Sequence, residues 1–305
     1  MKKAALAALC ALSLISCTLT LISCAPQNRL SRTKAEPRTV PNVPTRIASM
    51  APASTSILLE LGLADALVAT DDWSRKLEGV PEGLPSFDMM SPDVERLAAL
   101  SPDLLLVSTI TQAGTGKDPF APLAAIGINV VYLPASVDIA GIASDVMKIA
   151  ALTGREKEGT EAVRRMNAAV DEIRKIARTI PEEKKRTVVF ELESAPYIYS
   201  FGDGVYLNEI LETAGAINAF KKERGWISVS AESVIAANPD VILTNVASAG
   251  DPVAEIASRP GWGAIKAVKN GRIHKIDNMT SSQCAPTVVR ALREIAEAVY
   301  PEYFR

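Results

Sequence analysis

The sequence predicts an α/β protein of two Rossmann-like lobes with parallel-rich sheets, joined by one long helix. Three observations carry this. Short apolar runs alternate with helical stretches from Arg46 onward, the pattern of a parallel sheet covered on both faces. A motif of Glu, six residues and Pro-Asp before an apolar run occurs twice, as ERLAALSPDLLLVST from Glu95 and ESVIAANPDVILTNV from Glu232. Two copies at long range point to two related lobes rather than a solenoid. Between the copies, REKEGTEAVRRMNAAVDEIRKIART runs polar and helix-prone from Arg155 to Thr179.

In the first lobe, residues 45–154, RIASM reads as a strand and STSILLELG as a helix closed by Gly62. ALVAT is a strand, DVERLAAL a helix and DLLLVST a buried strand. FAPLAAIG is a helix stopped at Gly127, NVVYL a strand, and IAGIASDVMKIAALTG a helix closed by Gly154. The linking stretch, residues 155–180, carries Val163, Met166, Val170, Ile173 and Ile176 at helical spacing, a sparse apolar stripe. At about 1.5 Å per residue it reaches roughly 36 Å, and Gly159 is an imperfection near its start. The second lobe, residues 181–305, restarts with TVVFELE as a strand and YLNEILETAG as a helix. ESVIAAN is a helix, DVILTNV and RIHKID are strands, and APTVVRALREIAEAVY is the closing helix.

The N-terminus indicates where the protein works. Lys2 and Lys3 precede an apolar stretch from Ala4 to Ser23, a charged region followed by a hydrophobic one, as in a secretory signal. Leu21-Ile22-Ser23-Cys24 resembles a bacterial lipoprotein signal with lipidation at Cys24. Leu14-Ile15-Ser16-Cys17 is a second match, so Cys17 stays open, as does an uncleaved anchor, since about 20 apolar residues span a bilayer. Every reading tethers the remainder outside the cytoplasm. Residues 25–44 hold four prolines, several charges and little apolar content, the composition of an extended tether. Of four cysteines only Cys284 falls in the folded part, which leaves neither an internal disulfide nor a cysteine metal cluster there. A formal net charge of −2 with mixed signs gives no nucleic-acid surface.

Asp93 and Ser230, two residues before each motif glutamate, are predicted N-caps. Glu95 and Glu232 then sit exposed in first helical turns at equivalent places. One reading of them is local: a carboxylate there complements the helix dipole by about 0.3–1 kcal/mol. The other is that matched carboxylates on two lobes dock onto a two-fold symmetric partner.

In order and spacing, these motifs resemble the substrate-binding components of ABC importers for iron-siderophores, haem and cobalamin. RIASMAPASTSILLELGLADALVA, the two Glu–Pro-Asp segments, GRIHKID and the closing helix carry the resemblance, which covers about residues 45–305. It implies two lobes on one long helix, a ligand cleft between them and no enzymatic activity. It implies a monomer whose Glu95 and Glu232 meet a dimeric permease bearing ATPase subunits.

Open α/β sheets bind ligands beyond the carboxyl ends of their strands. The loops predicted there contain Trp73, Phe87, Tyr197, Tyr199 and Trp226, with Asn245 and Asn278 as hydrogen-bonding groups. Flat apolar walls suit a large chelate. A ferric siderophore and a corrinoid rank equally and haem third, because the single histidine, His274, lies in a predicted strand. Tyr197 or Tyr199 is then the available haem ligand. Arg75, Lys76, Lys221, Lys222 and Arg224 near the mouth suit an anionic siderophore, or form a solvated rim. A bare Zn²⁺ or Mn²⁺ cargo would want a histidine-rich set, and the lobes themselves hold no intrinsic cofactor. The stretch GTGKD at 114–118 lacks the spacing of a phosphate loop, and no nucleophile elbow or HExxH motif appears. A carrier uncoupled from any permease and a two-lobe hydrolase are the alternatives.

Overall fold

A computed structural model describes residues 43–112, 118–247 and 250–304. Cys17, Cys24, most of the tether, most of the GTGKD stretch and Ser248 therefore lie outside the described residues. Among the described residues no helix is long and apolar enough to cross a membrane.

The first lobe comprises β1 (Ile47–Met50), α1 (Pro52–Glu60), β2 (Leu67–Asp71), β3 (Ser86–Phe87), α2 (Val94–Ala99), β4 (Leu104–Ser108), α3 (Ala121–Ala125) and β5 (Asn129–Leu133). Its sheet is wholly parallel in the order β3-β2-β1-β4-β5. The chain lays strands to one side of β1 and then to the other, so the order reverses between β1 and β4. Those two strands are the apolar centre, and nearly every residue in them is buried, as covering on both faces demands.

Two helices follow, α4 (Ile139–Thr153) and α5 (Glu156–Ala177). Asp138 caps α4 by accepting from the Gly141 amide at 2.6 Å. Gly154 ends it in the left-handed region at φ 65°, the conformation glycine adopts most readily. Glu156 and Glu158 open α5 and Arg174 and Lys175 close it, each sign opposing the dipole at its end. The 22 residues of α5 span about 33 Å. Its buried stripe is Gly159, Ala162, Met166, Val170, Ile173 and Ala177, so Val163 and Ile176 lie at the margins. Gly159 is a contact rather than an imperfection: a Cβ there would stand 2.6 Å from the Ala150 Cβ of α4. The α4–α5 approach needs a residue without one.

The second lobe comprises β6 (Thr187–Glu191), β7 (Tyr199–Phe201), α6 (Tyr206–Thr213), β8 (Ile217–Asn218), β9 (Trp226–Ser228), α7 (Ala231–Ala237) and β10 (Val241–Thr244). After these come α8 (Pro252–Ser258), α9 (Lys266–Lys269), β11 (Ile273–Lys275), α10 (Asn278–Ser281) and α11 (Val288–Val299). The main sheet is parallel in the order β11-β10-β6-β8 and reverses between β6 and β10. The segments predicted as loops around Tyr199 and Trp226 instead form a two-stranded antiparallel ribbon, β7 with β9.

Helix α4 belongs to both cores. Ile139 and Ile142 pack with the second lobe and α11, while Val146, Ile149 and Ala150 pack with the first lobe. Glu209 of α6 accepts from the Ile139 amide at 2.7 Å, a cap supplied by the other lobe. Ala285, ahead of α11, is buried in the first lobe's core. The lobes thus share packing on several elements besides α5.

Candidate functional site: the cleft at the carboxyl ends of both sheets

Nine large hydrophobic side chains are exposed among the described residues, and seven of them follow the same ends of the strands. Trp73, Met90, Ile110 and Val137 come after β2, β3, β4 and β5, and Tyr197, Tyr199 and Trp226 lie on or beside the β7–β9 ribbon. Apolar side chains scattered singly need no explanation, whereas a set at the same ends of the strands makes a candidate binding surface.

The lobes hold their tryptophans differently. Trp73 is 61% exposed in a turn organised by Asp71, which is buried at the end of β2. Asp71 accepts from the Trp73 amide at 2.9 Å, the Ser74 amide at 3.0 Å and the Ser74 hydroxyl. Burial raises the Asp71 carboxyl above its ordinary range, and the Ser74 and Trp73 donors pull the other way. The Lys76 ammonium lies over the Trp73 ring, 4.9 Å from its centroid. Trp226 is 45% exposed, and its ring meets Phe201 and Tyr206 edge-on at 6.1 and 6.2 Å. Tyr206 in turn donates its hydroxyl to the Ser281 carbonyl at 2.5 Å, tying the start of α6 to the end of α10. Tyr197 is 79% and Tyr199 40% exposed.

Three predicted residues are placed otherwise. Phe87 is 3% exposed and packs in the first lobe's core beneath the Arg96 guanidinium, so its ring offers no wall to a ligand. Asn245 is buried and donates to the Ser281 and Ser282 hydroxyls at 2.9 and 3.2 Å. Asn278 donates to the Asn245 carbonyl at 2.8 Å. The two asparagines fasten α10 to the end of β10. Arg75, Lys76, Lys221, Lys222 and Arg224 are all exposed, and His274 sits half-buried in β11. Burial first, and Arg272 second, lower its pKa.

A cavity of about 240 Å³ opens where the strand order reverses between β1 and β4. Ala51–Ser54 follow β1, Ser108 ends β4 with Ile110 just beyond it, Leu133 ends β5 and leads into Pro134 and Ala135, and Ser282 and Cys284 come from the second lobe. This is the position where open α/β sheets receive ligands. No pattern in the sequence announces it, because it needs the β1/β4 reversal and a segment 150 residues further on. Among the described residues no group of three or more metal-ligating side chains is gathered.

Asp93 caps α2 by accepting from the Arg96 amide at 3.0 Å, and Ser230 caps α7 by accepting from the Ser233 amide at 3.2 Å. Glu95 and Glu232 are both exposed in the first turns that follow. Neither takes part in an ion pair among the described residues. Because α2 and α7 lead directly into β4 and β10, both carboxylates stand on the cleft side of their sheets. The Ser230 hydroxyl and the helix amide hold Glu232 below the usual carboxylate range, the amide having the larger effect.

Two parallel sheets thus share a helical spine, and exposed aromatic side chains follow their strands. The chain belongs to the periplasmic binding protein family, the substrate-binding proteins of ABC transporters, whose profile it matches over residues 47–280. It is 27% identical over 270 residues to an uncharacterized ABC transporter substrate-binding lipoprotein, YvrC, of Bacillus subtilis, covering 88% of this chain and 83% of that one. It is 30% identical over 203 residues to a vitamin B12-binding protein of Yersinia pestis, covering 66% of this chain and 69% of the relative. The solved structure of a possible iron-binding (periplasmic solute-binding) protein from Staphylococcus epidermidis superposes with a TM-score of 0.73 at 32% identity. That match covers 84% of this chain and 99% of the other.

Proposed function

We propose that this protein is the extracytoplasmic, lipid-anchored binding component of an ABC importer, tethered through Cys24 or Cys17, and that its cargo is a large metal chelate. The observation that carries this reading is the aromatic edge of the cleft. Trp73, Tyr197, Tyr199 and Trp226 present rings at the ends of both sheets, a set that suits a bulky, partly apolar ligand. Among chelates a corrinoid comes first. It is favoured by the Yersinia pestis relative, a vitamin B12-binding protein. A ferric siderophore is the second reading, favoured by the possible iron-binding relative and by the exposed Arg75, Lys221, Lys222 and Arg224. Haem is third, with Tyr197 or Tyr199 as its ligand.

Delivery rests on Glu95 and Glu232. Exposed, unpaired carboxylates at matched points suit a permease dimer that presents the same cationic patch twice. The shared packing of α4, α5 and Ala285 supports small relative movements of the lobes, so release is a modest population shift.

Calorimetric titration of residues 25–305 with cyanocobalamin, ferric hydroxamate and catecholate complexes and haemin tests the reading. One saturating ligand of submicromolar affinity is expected, cyanocobalamin first. Silence toward the whole panel would overturn the chelate assignment.

A further inference from the structure

The cavity at the β1/β4 reversal carries one group that an apolar seat does not need. Its wall is mainly carbon, from Ala51, Pro52, Ile57, Met89, Ile110 and Leu133. The single charged side chain in that wall is Asp145 of α4. Its Oδ2 accepts the Ser136 hydroxyl at 2.5 Å, while its Oδ1 has no hydrogen-bond partner among the described residues. Burial lifts this carboxyl above its ordinary range, against the opposing pull of Ser136 and Lys148. Asp145 is half-buried and lines the cavity, so this acceptor is open to a donor that enters it.

The neighbouring groups do not supply that donor. Cys284 gives its thiol to the Ser136 carbonyl at 3.3 Å, and burial, with Asp145 beside it, pushes the thiol up to about 12, so it stays neutral. Lys148 is exposed and forms no ion pair with Asp145 among the described residues. The cavity therefore offers apolar walls to a short stem and one acceptor to whatever ends it.

We propose that this cavity seats a donor-ended arm of the cargo, a short apolar stem terminating in an amide or ammonium N–H. Asp145 is the residue that selects this arm over a carboxylate-ended one. The inference rests on the reading of the cleft as a chelate site. A donor arm satisfies the open oxygen through a charge-assisted hydrogen bond. A carboxylate arm sets two negative charges together in a wall that shields them poorly. The selection favours chelates with neutral amide or cationic arms, such as a corrinoid or an ammonium-ended hydroxamate, over haem propionates.

The test uses the full chain in detergent and two ligand pairs. One pair is cyanocobalamin and its monocarboxylate, in which one peripheral amide is hydrolysed. The other is an ammonium-ended ferric trihydroxamate and its succinylated, carboxylate-ended form. In whichever pair binds, the carboxylate-ended member should be at least about tenfold weaker. Asp145→Asn keeps the shape and removes the charge, and should bring the two members within about threefold of each other. A gap that is absent, or that survives Asp145→Asn, overturns the role of Asp145 and leaves the chelate reading standing. If neither pair binds, the chelate reading is decided by the remaining panel of catecholate and haemin, and the cavity is tested alone with butylammonium against butyrate, read from the Met89 methyl resonance. A shift with butylammonium only, lost in Asp145→Ala, supports the acceptor. An equal response to both, or none, overturns it.

Discussion

The two Glu–Pro-Asp segments place the same backbone in two different settings. In each, the helix gives way to a residue with positive φ, Ser101 at 49° and Asn238 at 44°, then proline, then an aspartate that clamps the start of the neighbouring central strand. Asp103 accepts from the Thr45 and Arg46 amides at 2.9 and 3.1 Å, and Asp240 from the Thr187 amide at 3.0 Å. The surroundings differ. The first clamp is exposed and stapled by Arg46, which donates to the Leu100 carbonyl at 2.6 Å. The second is half-buried and joined by Lys266 at 3.3 Å. Fold therefore accounts for the aspartate, the proline and the strained residue in both copies. It gives Glu95 and Glu232 no ion pair among the described residues, which leaves both carboxylates open for the docking role proposed above.

The lobes differ again in their tryptophans, and that contrast gives the largest expected effect. The Trp226 ring is already fixed edge-on by Phe201 and Tyr206, so less freedom is lost when a ligand stacks on it. Trp226→Ala should weaken cargo binding by about 2 kcal/mol, the scale of an aromatic anchor, and Trp73→Ala by less. Calorimetry on the two variants decides the order, and a larger loss at Trp73 would reverse the comparison.

The clamps come next. Asp240→Ala leaves a half-buried strand amide and Lys266 without their acceptor and should lower stability by about 1–3 kcal/mol. Asp103→Ala, in the exposed copy, should cost the lower end of that range. Urea midpoints of the two variants check this, and equal losses would show that burial does not separate the copies. Removing the caps with Asp93→Ala or Ser230→Ala should cost about 1 kcal/mol each by the same measurement. The smallest effect is in acid. Burial alone would raise the Asp240 carboxyl, but the Thr187 amide and Lys266 outweigh it and hold it below its ordinary value. A group depressed in the folded state contributes fully above its unfolded value of about 4 and loses that contribution as pH falls through the folded one. Asp240→Asn should therefore flatten the loss of stability below about pH 4; an unchanged acid slope would assign that loss to other carboxylates.

Much of this architecture is written locally. Alternating strands and helices, the Asp93 and Ser230 caps, and the exposed first-turn glutamates follow from spacing and side-chain chemistry within a few residues. What escaped depends on contacts distant in sequence. Phe87 is expected in a loop, but a strand of only two residues carries it inward. Gly159 weakens a helix by propensity and is required only because Ala150 packs against it. The β7–β9 ribbon has three residues per strand, too few to show a period. Asp145 reads as an ordinary helical carboxylate until the β1/β4 reversal and Cys284 enclose it.

The most direct measurement of what the unpaired glutamates do is uptake of labelled cargo by cells whose binding protein carries Glu95→Lys and Glu232→Lys together, with cargo affinity measured in parallel. Transport should fall at least about tenfold while affinity stays within about twofold, because opposed charges meet at the permease and not in the cleft. Uptake equal to that of the unmodified protein would contradict the docking role and leave a carrier that works without a permease.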